Sequence, residues 1–200
     1  IKEVTTNDIR IYLLSYQSAR KVGKSTIDDK RRALNSFYTW LVRENIINRN
    51  PMLQIDPIKY NKTIRQPLTA MELEQVRNAC KAPREKAILE MLYSTGCRVS
   101  ELTELNRNDI DYNAGMVKVL GKGSKERYCF INAKAQLAIK KYLFGRLDDS
   151  EVLFVAGKKP YRRLGKGTIE KEIGKLGKRA GINRSVYPHL IRHTTAAHML

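Results

Sequence analysis

The chain has 200 residues, 42% of them hydrophobic, enough for one or two domains with a real core. No stretch approaches the roughly 20 apolar residues that a membrane-spanning helix needs. Its 38 Lys and Arg against 20 Asp and Glu give a net charge of +18, with +7 in residues 1–66 and +11 in the rest. A basic tail would concentrate that excess. Two basic units instead point to a polyanion gripped from more than one side, most commonly nucleic acid. Cys80, Cys97 and Cys129 lie far apart with no C-x-x-C, against a zinc site or a disulfide framework and in keeping with a reducing compartment. The first residues, IKEVTTNDIR, contain neither the apolar run of a secretory signal nor an initiator Met, as expected of a chain that begins inside a longer protein.

In chain order, TTNDIRIYLLSYQSAR sets Ile9, Tyr12, Leu13 and Tyr16 at helical spacing behind Thr6, Asn7 and Asp8 as cap residues. GKSTIDDKRRALNSFYTWLVRE predicts a second helix, with Ser25 as N-cap, Asp28 and Asp29 at the positive end of the dipole, and a buried stripe of Ile27, Leu34, Phe37, Trp40 and Leu41. Lys24, Lys30, Arg31 and Arg32 near its start are candidates for DNA-backbone contact, or equally a solvated face. Residues 48–67, with three prolines, read as a linker. This divides the chain into a helical unit, 1–66, and a second unit, 67–200.

The second unit opens with a capping box, Thr69 and Glu72, and a helix to about Lys81. A further helix runs from Pro83 to Gly96, and helical spacing resumes through Val99, Leu102 and Leu105. The period then changes. Val117, Val119, Tyr128, Phe130 and Ile131 flank a Gly-Lys-Gly-Ser-Lys turn, which predicts a β-hairpin. AKAQLAIKKYLFGRL reads as helix, EVLFVA as a short strand, GTIEKEIGKLGKRAG as helix, and a last helix begins near His189. The fold class is therefore mainly α with a small antiparallel β-sheet, an α+β second domain behind a helical first one.

Three patterns carry chemistry: Arg98 and Glu101 in TGCRVSEL, Lys122 in GKGSKER, and His189, Arg192 and His193 in HLIRH. Singly, each has an ordinary reading: a surface ion pair worth a few tenths of a kcal/mol, an exposed turn lysine, a helix-start histidine. LGKGSK is no P-loop. Met116 stands where the template needs its first glycine, Gly123 replaces the Ser or Thr, and the segment joins two strands. Together, the patterns supply two permanently charged planar forks for a phosphate, a lysine able to protonate a leaving alkoxide, and a histidine able to exchange a proton near neutral pH. No acidic metal-binding cluster accompanies them, so the expected chemistry is metal-free phosphoryl transfer.

In this order and spacing, TGCRVSEL, GKGSKER and PHLIRHTTAAHML resemble the tyrosine recombinase (phage integrase) family, and the likeness extends over the whole chain. The resemblance implies a SAM-like core-binding domain, a linker and most of a catalytic domain. It assigns Arg98 and Arg192 as activating arginines, Lys122 as general acid for the 5′-hydroxyl, His189 as the histidine of the H-x-x-R box, and Glu101 as a support for Arg98. Lys125 joins the candidate DNA contacts. The implied activity is site-specific DNA recombination or integration through a 3′-phosphotyrosyl link, with no cofactor. The implied partner is double-stranded DNA at a recombination site, gripped by a homo-tetramer when the protein is full length. No membrane is involved, and the location is cytoplasmic, with a bacterial-type nucleoid. The motifs do not divide phage integration, transposition, conjugative excision and chromosome-dimer resolution; the leaning is to a mobile element.

One departure is large. The family places a further His or Trp, and then its nucleophilic tyrosine, downstream of the H-x-x-R box. This sequence runs only eight residues past Arg192, and Tyr187 stands on the wrong side of the motif. The 200 residues are therefore expected to bind DNA and not to cleave it. The alternatives are a non-catalytic DNA-binding regulator occupying recombination sites and, less favoured, a basic RNA-associated structural protein. Cys97 and Ile191 depart from the pattern only as packing variants.

Overall fold

The structure, a computed structural model, describes residues 3–61, 66–121, 123 and 125–199. The chain divides into two compact units, Ile1–Ile64 and Arg65–Leu200. As expected, it is mainly helical with one small antiparallel sheet.

In the first unit, α1 (Thr6–Arg20) and α2 (Lys24–Arg43) pack through Ile9, Leu13, Ile27, Tyr38 and Leu41. Thr5, one residue ahead of the predicted caps, is the N-cap of α1 and forms a capping box with Asp8. For α2 the N-cap is Gly23, not Ser25. The Gly23 carbonyl accepts from Thr26 and Ile27, which leaves Ser25 inside the first turn. The predicted stripe of α2 is displaced as well: Tyr38 is buried, while Phe37 and Trp40 are 41% and 44% exposed. The apolar arc of α2 is wider than the surface that covers it, so periodicity locates the arc and not its covered edge.

Part of the predicted linker belongs to this unit. Asn50 caps a 3₁₀ turn at Pro51–Gln54, Met52 is buried, and Ile55 and Ile58 pack on the same core. Asp28 holds this return segment. Its carboxylate accepts from Arg31 Nε at 2.8 Å, Arg32 Nε at 3.1 Å and the Ile58 amide at 3.1 Å. These bonds, that of Arg31 foremost, pull its carboxyl below the ordinary range. Asp28 thus pins the return segment rather than merely answering the helix dipole.

The second unit is built around α4 (Pro83–Thr95), whose residues Ala87, Ile88, Leu89, Glu90, Met91 and Leu92 are all buried. A helix buried on every side is a central helix. Around it pack α6 (Ala133–Phe144), α7 (Lys166–Arg179) and α8 (Pro188–His198). The Thr69–Glu72 box caps α3 (Ala70–Asn78), which stops short of Lys81. Gly96 ends α4 in the left-handed region at φ +56°, where glycine carries no Cβ penalty, and α5 (Val99–Glu104) follows at once.

The hairpin forms as predicted, with β2 (Met116–Leu120) paired to β3 (Glu126–Phe130) and Val119 opposite Arg127. A two-residue β1 (Ile110–Asp111), absent from the sequence reading, adds to its edge in the order β1-β2-β3. EVLFVA is not a strand of this sheet. Leu153, Phe154 and Val155 are buried in succession, without the alternation of a sheet strand, and the segment makes only isolated bridges at Val152 and Val155. Its backbone is satisfied by loops, through Leu153 N–H to Leu105 and Ala156 N–H to Arg162.

Two close approaches place α8. A Cβ on Gly177 of α7 would lie 2.5 Å from Val186 Cγ2, so only glycine lets the chain pass this closely before Pro188. At the other end, Thr195 donates to the Tyr93 carbonyl and Thr194 accepts from the Leu68 amide, which ties α8 to α4 and to the start of the unit.

Candidate active site at the α5 cap, the hairpin and α8

Arg98 is the N-cap residue of α5, set in extended backbone just after the Gly96 turn. Its side chain is 51% exposed. Glu101, one turn along and 5% exposed, receives the Arg98 backbone amide at 2.7 Å and Arg98 Nη1 at 2.9 Å. The sequence motif is thus a capping arrangement that also orients the arginine.

A third member, which sequence reasoning missed, completes the group. Arg127 of β3 meets Glu101 with both guanidinium nitrogens, Nη1 to Oε1 at 2.9 Å and Nη2 to Oε2 at 2.7 Å. Among the described residues, each carboxylate oxygen therefore accepts two bonds. Burial pushes the Glu101 carboxyl up, but the Arg127 fork, with the Arg98 amide and side chain, holds it down at about 2. Glu101 in turn raises Arg127 further above its ordinary value. The signal in the sequence was weak: Arg127 alternates inward on a strand whose neighbours Glu126 and Tyr128 are exposed.

The depressed carboxyl makes stability depend on pH. A folded-state value near 2, against about 4.3 unfolded, gives a contribution that is complete above about pH 4.3 and lost as the pH falls towards 2. Up to roughly 3 kcal/mol is at stake on that scale. Urea unfolding between about pH 5 and pH 2 should show a steeper loss for the native chain than for Glu101→Gln; parallel curves would contradict the assignment.

Arg192 of α8 donates from Nη1 to the carbonyl of Gly96, two residues before Arg98. This bond brings the two arginine-bearing segments together. A Cβ on Gly96 would sit 3.5 Å from the Thr195 methyl, so α8 lies close against the turn. His189, one helical turn before Arg192, is exposed, as is His193. Lys122, the predicted general acid, lies outside the described residues. The hairpin mouth beside it is closed by Gly121 N–H to Lys125 O at 2.8 Å, and Lys125 is exposed. Among the described residues, no group of three His, Cys, Asp or Glu is gathered as a metal site, and no helix is long and apolar enough to cross a membrane.

In the first unit the four basic candidates differ. Lys24 is exposed. Arg32 is exposed but shared with Asp28 and Asp29. Lys30 Nζ lies 4.6 Å from the Tyr16 ring centroid. Arg31 is only 11% exposed and engaged with Asp28 three residues before it, a structural role.

Known protein families match both units of the chain. Residues 66–200 match the phage integrase family, and residues 1–48 match the phage integrase N-terminal SAM-like domain. The chain is 35% identical over 213 residues to the tyrosine recombinase XerC of Oceanobacillus iheyensis, covering 100% of this chain and 69% of that protein. The crystal structure of XerA recombinase superposes with a TM-score of 0.63 at 28% identity, over 99% of this chain and 69% of that one. A lambda integrase tetramer bound to a Holliday junction superposes with a TM-score of 0.78 over 98% of this chain and 60% of that one; at 18% identity this is a likeness of fold. The chain belongs to the phage integrase family, the tyrosine recombinases.

Proposed function

We propose that these residues form the DNA-gripping and phosphate-activating part of a site-specific tyrosine recombinase. The observation that carries this reading is the convergence of Arg98, braced by Glu101, with Arg192, tied to the same turn through Gly96. Two permanent cations beside one phosphate neutralise the charge that grows on it during transfer. His189 exchanges a proton at the phosphate, and Lys122 protonates the departing 5′-oxygen. A tyrosine oxygen bonds to phosphorus as the P–O5′ bond breaks, so the link is conserved for rejoining and no nucleotide is consumed. The substrate is double-stranded DNA at a recombination site, held by four copies of the full-length protein in the cytoplasm, at a bacterial-type nucleoid. Residues 1–66 grip DNA through Lys24, Lys30 and Arg32, with Arg31 in support through Asp28, and Lys125 adds a contact from the hairpin.

No tyrosine follows Arg192 within the 200 residues. The polypeptide 1–200 therefore binds DNA and leaves it uncut. A second reading is a regulator that occupies recombination sites, and the intact Arg98–Glu101–Arg192 group, which such a protein does not use, counts against it. Binding rests mainly on phosphate contacts, so affinity should fall about 10³-fold or more between roughly 50 and 200 mM salt. Fluorescence anisotropy across a salt series measures this, and affinity that ignores salt would count against a DNA-backbone grip.

A further inference from the structure

A carboxylate beside an arginine prefers the two-toothed, fork-to-fork arrangement. Glu101 and Arg98 do not adopt it. Of the Arg98 guanidinium only Nη1 bonds to Glu101, while the fork-to-fork position is filled by Arg127. We infer that Arg127 is a positioning residue of the phosphate site: it takes the paired face of Glu101 and so keeps the Arg98 guanidinium directed to the scissile phosphate. This deepens the function proposed above and rests on it.

Three observations support the role. Glu101 is nearly buried, so its charge needs a partner, and among the described residues the other cation on the same carboxylate is Arg98. Among the described residues, the four bonds on Glu101 come from these two arginines, one of them from the Arg98 backbone amide, so loss of the Arg127 fork leaves the Arg98 guanidinium as the side-chain partner. The hairpin backbone also passes close to Arg127, whose side chain is 36% exposed. A Cβ on Gly121 would fall 3.2 Å from Arg127 Nη1 and 3.3 Å from Lys125 O, which places the guanidinium directly beneath the mouth of the hairpin. Arg127 touches neither DNA nor the reacting atoms in this scheme. It acts through Glu101.

The test is suppression. Arg127→Ala frees the paired face of Glu101, Arg98 swings into it, and the phosphate loses a cation. Neutralising the carboxylate should then release Arg98 again. In the complete gene product, with DNA at saturation on a nicked suicide duplex, Arg127→Ala should slow formation of the covalent adduct about tenfold or more, and Glu101→Gln with Arg127→Ala should recover most of that loss. DNA affinity should change less than about threefold throughout. A merely structural Arg127 predicts the opposite order, with the double variant no faster than the single one, and that order would overturn the inference.

If the unsubstituted gene product forms no adduct, the recombinase reading itself fails. The positioning role is then read separately in residues 1–200, by titrating inorganic phosphate against the Arg98 Nε–H resonance. Arg127→Ala should weaken phosphate about tenfold and the double variant should restore it; unchanged affinity, or no restoration, overturns the role. Arg127→Gln, which keeps the packing of the stem, replaces Arg127→Ala should that variant not fold.

Discussion

Replacing Arg192 with alanine is expected to slow strand cleavage by the complete gene product on the order of 10³-fold, while DNA affinity falls less than about tenfold. Two losses coincide at this residue. In the proposed function the phosphate loses one of two permanent cations, which matters most when charge builds in the transition state. The turn before Arg98 also loses the bond from Arg192 Nη1 to the Gly96 carbonyl, so the remaining arginine is held less firmly. Binding should suffer less, because under that proposal Arg192 is one phosphate contact among many on a chain of net charge +18. Arg192→Lys should restore charge but not the planar fork, and so should recover only part of the rate. Single-turnover adduct formation at saturating DNA, set against a separate affinity measurement, reads the difference. A proportional fall in rate and affinity would mean that Arg192 merely grips.

Glu90→Ala should strongly damage the fold away from the site. Glu90 is 1% exposed and receives Arg77 fork to fork, with Nε and Nη2 both at 2.9 Å. Arg77 itself is buried and lies 4.9 Å from the centroid of the Tyr93 ring, whose hydroxyl pairs with His198 Nδ1 of α8 at 3.0 Å. Removing the carboxylate strands a buried guanidinium with only Glu74, a half-exposed partner at 2.5 Å. Breaking one side of a buried pair costs about 3–5 kcal/mol, which for a unit of this size lowers Tm by roughly 10–20 °C. Thermal unfolding of residues 1–200 measures it. Arg77→Met with Glu90→Leu should return most of the loss, since removing both charges removes the stranded one. A cost below about 1 kcal/mol for Glu90→Ala would show that water reaches the pair.

What the sequence disclosed follows the range of the forces involved. Thr69 with Glu72, Pro83 with Gly96, and the hairpin around Gly121 and Gly123 are local devices whose partners lie within a few residues, and each forms as read. Arg98 with Glu101 is equally local. Arg127 was not legible because its partner stands 26 residues away, and only the turn from α5 into the sheet brings them together. The bond from Arg192 to Gly96 spans 96 residues and was hidden for the same reason. In α2 the pattern gave the apolar arc but chose Phe37 and Trp40 over Tyr38, because the partner surface, including the return through Met52, is not written in the helix. EVLFVA was misread because three consecutive buried residues satisfy a strand template as well as a buried loop does.

The most direct test of the central claim is an SDS-resistant adduct assay on duplexes selected from a random library by the polypeptide 1–200. The complete gene product should form a covalent protein–DNA adduct on the selected duplex, and the polypeptide 1–200 should bind that duplex and form none. A covalent adduct from residues 1–200, or selection of no common site with no adduct from either protein, would contradict the account.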